Sequence, residues 1–572
     1  MQADTDKDLE VAHVESTGAH HVGGKFDPGF VADSAAADYV DPTLVISPQE
    51  NKRLRRKIYK HLLPVMCVAY ITQSLDKGTL GSSSIMGWQA DVGAKGQDYA
   101  LTSTFLWIGI IVGEPIVNQF VRRLPVAKVL GISMVIWTAV GRFVELWMSA
   151  RSLTHYQLLL GITFSLNVAP VFALRALLGF FESSFSPCLV AITVQWFTTD
   201  EQTLITTVWQ TMFACAGFVS NLLAYGFYQL HGSENIRTRG LYTWQWMTLC
   251  IAIISAIASV IVLVFLPDTP VQARWATSDE KVKFVERVRT NDQGIKQKKW
   301  RSEQAWESIK DPLPWLLFLM MLFQTLVVGG VNTFNSLLIN QAFGFSTSQS
   351  QLLSLPLNVF QVILYFFIGW LGTKTKQTCL CMIGYTIINI VGTVVLIAVA
   401  PSASTKGGLL VAFYFMQCFQ AVSPSMYAML SRNIAGQTKK SITYALFCEW
   451  TSSPTHQTSH RSTAPCSTFP SSLFDFPSSC ANFLSVVGWA GGNAIGPQFF
   501  VAKWAPRYLN SLYIHLGIYA CFIIDVLAIR FLLSSRNKRR DRELEQAGGV
   551  NVHAHAFEDM TDLQNKEFRY SY

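Results

Sequence analysis

Residues 244–266 read WQWMTLCIAIISAIASVIVLVFL, twenty-three positions without one Asp, Glu, Lys or Arg. At about 1.5 Å of rise per residue, such a run crosses the roughly 30 Å hydrocarbon core of a bilayer. Lipid offers no hydrogen bonds to the backbone, so the run must satisfy itself as a helix. Residues 267–311, which follow, are polar and basic, and a second long apolar run begins at 313 and ends near 339. Run, linker, run is the pattern that organises the chain.

Working outward, runs of similar length lie near 61–81, 101–121, 127–148, 172–196 and 206–229 on the N-terminal side. On the other side they lie at 351–372, 379–400, 408–430, 441–500 (interrupted) and 509–533. The expected fold class is an all-α membrane protein with twelve transmembrane helices, six on each side of a linker. Composition agrees: the 572 residues are 50% hydrophobic and 14% charged, against about a quarter charged in soluble domains. A soluble chain this size would split into domains with separate cores. The net charge of +8 does not point to nucleic acid, because the cations cluster between apolar runs and not along one face.

Those clusters orient the chain. Lys52, Arg53, Arg55, Arg56 and Lys57 precede helix one, and Arg122, Arg123 and Lys128 follow helix two. The linker, the loops after helices eight and ten, and the stretch after helix twelve are also basic. Cytoplasmic loops carry such an excess, so both termini are expected in the cytoplasm. The expected divisions are a disordered cytoplasmic tail (1–57), a first set of helices (58–266), a cytoplasmic linker (267–311), a second set (312–534) and a second tail (535–572). Within the linker a surface helix is expected from Ser278, as N-cap, to Arg289, with Glu280 in its first turn. The cysteines form no CxxC pair and read as small buried residues. No cofactor, metal site or catalytic residue is expected: zinc, nucleophile-elbow and P-loop motifs are missing.

Two stretches break the pattern. Residues 450–480 are rich in Ser, Thr and Pro and interrupt helix eleven. Codons for Cys448-Glu449-Trp450 can contain a splice-donor sequence, and those for Ala481-Asn482 and Ser485-Val486 a branch site and an acceptor. Residues 448–485 therefore read as a retained intron, an idea that sequenced transcripts all containing this stretch would exclude. Residues 149–171 are also surplus to two otherwise complete helices.

A charge inside the bilayer is costly and faces a cavity or a partner. Asp76 and Lys77 lie towards the end of helix one and Glu114 in helix two. Arg142 and Glu145 can pair in helix three, and Asp525 and Arg530 lie in helix twelve, near its end. Arg175 and Glu182 are seven apart on one face of helix four. The guanidinium fork of Arg175 suits a substrate carboxylate, with Glu182 as its partner or as a proton acceptor. The second half offers amides instead: Asn332, Asn335, Asn358, Gln361, Gln417, Gln420 and Asn493. The plainer readings are interfacial charges at Asp76 and Lys77, a structural contact of Glu114 with the Arg122-Arg123 loop, and amides that bind helices together. Gly109 and Gly113 allow close helix approach, and Gly491, Gly492 and Gly496 beside Pro497 mark a flexible or closely packed helix eleven.

These stretches resemble the major facilitator superfamily, and within it the fungal allantoate permease family of anion:cation symporters. The matching residues are Leu75-Asp76-Lys77-Gly78-Thr79-Leu80, Arg123-Leu124-Pro125-Val126-Ala127-Lys128, and Arg175 to Glu182. Further matches are Phe265 to Pro270, Glu286 to Arg289, Asn433 to Lys440 and Gly492 to Gln498. The resemblance implies two six-helix bundles around a central cavity, working by alternating access. It also implies uptake of a small carboxylate such as allantoate, ureidosuccinate or nicotinate, coupled to protons. Arg175 would bind the anion. Asp76, Glu182 and Glu114 are the candidates for the coupling proton, and Asn332, Asn335, Asn358 and Gln420 for substrate selection. Arg122, Arg123 and Lys128 would form the gating loop. The expected setting is the plasma membrane, with lipid, protons and an anionic solute as partners, no nucleic acid, and a monomeric chain. A non-transporting nutrient sensor, or an inactive product of a mis-spliced gene, are the alternatives.

Overall fold

The computed structural model describes residues 46–150, 169–231, 242–289, 301–375, 377–436, 438–439, 442–443, 488–546, 560–565 and 568–572. The proposed intron at 448–485 and most of the surplus segment at 149–171 lie outside them.

In the N-terminal half, α1 spans Pro48–Ser84, α2 Trp88–Val92, α3 Asp98–Arg123 and α4 Val126–Ala150. Then come α5 Ala169–Glu182, α6 Phe185–Trp196, α7 Thr199–His231 and α8 Thr243–Phe265. The linker holds α9 Ser278–Arg289 and α10 Ser302–Lys310. The second half has α11 Pro312–Leu337, α12 Thr347–Thr375, α13 Thr378–Ala398, α14 Lys406–Met416 and α15 Ser423–Asn433. A helical segment at 488–495, here α16, and α17 Leu509–Gln546 complete it.

Nine described stretches are long and apolar enough to cross a bilayer, including Asp98–Val117, Val171–Thr193 and Thr243–Phe265. Helices α1 and α4 and the eight described residues of α16 stand at the places of the other three expected spans. The fold is inside out relative to a soluble protein. On α8, Ile253, Ile257, Val260 and Val264 form a stripe at helical spacing, each 54% to 57% exposed. Ser255 and Ser259 of the same helix are buried, and Ser259 returns its hydroxyl to the Ser255 carbonyl at 2.7 Å. Water does not tolerate such a stripe along a whole helix, whereas lipid does.

Small residues set the closest contacts. A Cβ on Gly109 of α3 would lie 1.9 Å from the Ala176 carbonyl oxygen of α5, and one on Gly179 would lie 2.0 Å from that of Leu106. Gly492 and Gly496 press on Thr325 and Leu326 of α11 in the same way. Gly492 and Gly496 are thus packing residues.

Three boundaries differ from expectation. Residues 48–57 belong to α1, because Ser47 caps it (Glu50 N to Ser47 Oγ, 3.3 Å) and Pro48 suits its first turn. Helix α9 has the expected span, but Thr277 is its cap. The Glu280 N–H donates to Thr277 Oγ1 at 3.4 Å and the Thr277 N–H to Glu280 Oε2 at 3.0 Å, a reciprocal capping box. Helix α17 continues to Gln546, past the expected boundary at 534, and residues 560–565 and 568–572 fold back onto the protein.

Gly109→Ala should lower the unfolding midpoint in detergent, an overpacking cost of about 1–3 kcal/mol or more. Gly384→Ala, with nothing within 4 Å of its added Cβ, should leave it unchanged or raise it. Equal midpoints would mean that α3 and α5 are not in this register.

Candidate functional site

The first half holds an ion pair among apolar helices. Lys77 Nζ of α1 lies 2.7 Å from Glu182 Oε1 at the end of α5, and the Glu182 side chain is only 4% exposed. Gln73, one turn before Lys77 on α1, donates to the same oxygen. The Lys77 ammonium also lies 5.4 Å from the centre of the Trp107 ring on α3. Two donors and an aromatic face thus hold one carboxylate. The α3–α5 glycine contacts make this possible, since they bring Trp107 and Glu182 to one place.

The expected pairing of Arg175 with Glu182 is therefore replaced by Lys77 with Glu182. Helix α5 ends at Glu182, and α1 lies closer to that end than Arg175, two turns back. Arg175 is partly buried and within electrostatic range of Tyr99. Asp76 is partly buried beside Lys77, and Glu114 is 3% exposed next to the tightly packed Gly113. The side chains of Arg122, Arg123, Arg142 and Glu145 lie outside the described residues.

Hydrogen bonds join the halves at the face opposite the linker. Tyr99 donates to the Thr333 carbonyl at 2.6 Å, and Ser103 and Thr333 hydroxyls meet at 3.1 Å. Thr104 donates to the Ala494 carbonyl at 2.6 Å and accepts from Gln498 at 2.8 Å. Ser82 donates to Gln351 at 3.1 Å. Deeper in, Trp107 of α3 meets Trp489 of α16 edge to face at 4.7 Å. The Lys77–Glu182 pair thus adjoins an aromatic contact between the halves.

The amides of the second half are only partly brought together. Gln361 donates to Gln420 at 3.3 Å, linking α12 with the 3-10 turn between α14 and α15. Asn358, one turn from Gln361, sits against α7, where a Cβ on Gly217 would lie 2.7 Å from its Oδ1. Asn335 Oδ1 is buried without a hydrogen-bond partner among the described residues. Asn332 of α11 is exposed. Arg530 does not pair with Asp525: it donates to Gln377 at 2.6 Å and covers the Tyr572 ring at 5.2 Å.

The family model of the Major Facilitator Superfamily matches residues 66–448. The chain belongs to that superfamily. Curated relatives agree with the motif resemblance. The allantoate permease of Saccharomyces cerevisiae is 26% identical, over 92% of this chain and 87% of its own. The thiamine pathway transporter THI73 of the same yeast is also 26% identical, over 92% and 87%. An uncharacterized transporter of Schizosaccharomyces pombe, C417.10, is 28% identical over 92% and 90%. Among solved structures, the xylose transporter XylE from E. coli in a partially occluded inward open conformation superposes with a TM-score of 0.55. It has 12% identity and covers 84% of this chain and 98% of its own. That likeness speaks for the fold. The protein is a multi-pass membrane transporter of the superfamily, and not an enzyme.

Around the linker of this major facilitator transporter, Asp268 anchors the start of helix three, just after the basic loop. Its carboxylate accepts from the backbone N–H of Ala127 at 2.7 Å and of Lys128 at 3.3 Å, capping α4. The end of helix six is thereby fixed to the start of helix three. Helix α9 docks on α1 and α7 through Lys57–Glu280 at 2.5 Å and a buried contact of Arg287 with Glu201. Lys77, Gln73 and Asp268 carry contacts to which the sequence assigned no role. The i, i+4 spacing of Gln73 and Lys77 was the available signal.

Lys77→Met should cost about 3–5 kcal/mol of stability, the usual result of stranding one member of a buried pair. Lys77→Met with Glu182→Gln should recover most of it; unfolding midpoints of both in detergent measure this. The Lys57 hydrogen bond holds the Glu280 carboxyl below its ordinary value of 4.5. A depressed carboxylate contributes fully above that ordinary value and loses its contribution as pH falls through the lowered one. Amide exchange in α9, corrected for intrinsic rates, should therefore be slow at neutral pH and rise as the pH drops below 4.5.

Proposed function

We propose that this transporter imports a small organic carboxylate together with protons, at the plasma membrane, as a monomer with both termini cytoplasmic. The observation that carries the reading is the Lys77–Glu182 contact at 2.7 Å, with Arg175 on the same helix as Glu182. A carboxylate substrate binds Arg175 and competes with Glu182 for Lys77. Freed from Lys77, an ionised Glu182 would keep only the neutral Gln73 donor among apolar helices, and a proton removes that cost. Anion and proton then travel together. Each positive charge moving inward gains about 2.3 kcal/mol per 100 mV of membrane potential. A monoanion with two protons uses that gain; with one proton the pH gradient alone drives it.

The other candidates have supporting roles in this account. Asp76 and Glu114 are further proton-coupling residues in the first half. Asn335, Asn358 and Gln420 select among carboxylates from the opposite half, with Asn332 nearer the edge of the path. Arg122, Arg123 and Lys128 form the gating loop. The name of the yeast allantoate permease supports an anion of that class, such as allantoate, ureidosuccinate or nicotinate. The hydrogen bonds at the face opposite the linker support an inward-facing state, in which solute leaves towards the linker.

The test is uptake of labelled carboxylates at acidic and neutral external pH, in cells expressing the chain with and without 448–485. Uptake of one anion should rise at acidic pH and collapse with a protonophore. Arg175→Gln should reduce it about tenfold or more, the value of one charged hydrogen bond. No uptake with protein confirmed at the cell surface would contradict the reading.

A further inference from the structure

Residues after α17 return to the linker face of the second half and enter a site built of charged groups. Thr561 and Asp562 are 0% exposed and Tyr570 is 4% exposed. Lys439, itself fully buried, makes ion-pair contacts with Asp562 Oδ1 at 2.8 Å, Asp311 Oδ2 at 2.7 Å and Glu307 Oε1 at 2.9 Å. Arg536 of α17 reaches Asp311 at 2.5 Å and Asp562 Oδ2 at 3.8 Å. Arg540 donates to the Asp562 and Phe568 carbonyls. Tyr570 closes the ring by donating to Asp562 Oδ2 at 2.7 Å.

Two amides grip the backbone of the segment. Asn433, at the end of α15, donates to the Ser571 carbonyl and accepts from its N–H, both at 2.8 Å. Asn537 does the same with Tyr570, at 2.9 Å and 3.0 Å. Paired backbone bonds with side-chain pockets between them are how proteins hold extended peptides. Here Asn433 and Asn537 hold the main chain, while the cations and Asp562–Tyr570 read the side chains.

The charge balance depends on the segment. Lys439, Arg536 and Arg540 face Glu307, Asp311 and Asp562, and only Asp562 comes from outside the helices and linker. Without it a buried site is left with an excess cation, a costly arrangement. Arg536 and Lys439 together hold Asp311 ionised, below its ordinary carboxylate value in spite of burial. Asp311 also caps α11 through the Leu313 N–H at 3.1 Å. The hold is polar and aromatic together: Tyr570 is part of the buried core, Phe568 and Tyr572 pack against it, and Leu563 is left 41% exposed.

We propose that this face is a peptide-binding site whose occupants are the chain's own residues 560–565 and 568–572. Occupied, it straps the linker-face ends of α11, α15 and α17 together, and the strap is releasable. The inference is independent of which solute is carried.

The test uses the full chain in detergent, as wild type and as Asp562→Asn/Tyr570→Phe. Amide exchange is followed over the segment, with a fluorescein-labelled peptide MTDLQNKEFRYSY added in trans. Wild-type amides at 561–565 and 568–572 should exchange at least tenfold slower than in the free peptide, and those of the double variant close to the free rate. The labelled peptide should bind the double variant at least tenfold more tightly than wild type, whose site is filled. Adding Lys439→Met to the double variant should abolish that binding. Wild-type amides exchanging at the free rate would overturn the site. A double variant that stays protected would overturn Asp562 and Tyr570 as the anchors. A released segment with no peptide binding would overturn the strap as a separable ligand.

Discussion

An ammonium and a carboxylate 2.7 Å apart inside a helical bundle constrain everything around them. Lys77 and Glu182 come from helices remote in sequence, and neither charge is tolerable there alone. Helix α1 must present Lys77 at the turn where α5 ends, and α3 must lie close enough to α5 to bring Trp107 over the ammonium. The glycines at 109, 113 and 179 provide that approach by removing the Cβ atoms that would strike backbone oxygens. Helix packing and the buried ion pair are thus the same feature.

The two faces of the membrane protein are built differently. Opposite the linker, the halves meet through neutral hydrogen bonds: Tyr99 to Thr333, Thr104 to Ala494, Ser82 to Gln351. Such bonds are each worth about 1 kcal/mol net, a scale at which a solute's differential binding can shift the balance between states. At the linker face, charge networks tie elements within each half: Arg287 with Glu201 in the first, Lys439 with its carboxylates in the second. Each half is thereby stiffened near the linker, while the contacts between halves stay individually weak. Rocking of rigid bundles about a fixed site requires that division.

Much of this was legible in the sequence. Run length and charge alternation placed the spans, because lipid tolerates few alternatives to an apolar helix of about twenty residues. The close contacts at Gly109, Gly113, Gly492 and Gly496 were visible as spacing. The partners of charges were not. Arg175 and Glu182 share a helical face, yet Glu182 turned to Lys77, because an ion pair between helices depends on rotation and depth that one sequence does not encode. Asp268 capping α4 and Asp562 inside a charged site were hidden by long separation from their partners along the chain. A polar, weakly patterned stretch such as 560–572 reads as a tail until its receptor is seen.

Proton movement in proteoliposomes tests the central claim most directly. Purified protein would be reconstituted with a pH-sensitive dye inside, and an inward gradient of the transported carboxylate imposed without a pH gradient. The account predicts that wild type acidifies the lumen as labelled anion enters, whereas Glu182→Gln still exchanges labelled for unlabelled anion but moves fewer protons per anion. Acidification by Glu182→Gln at the wild-type ratio of protons to anions would contradict it.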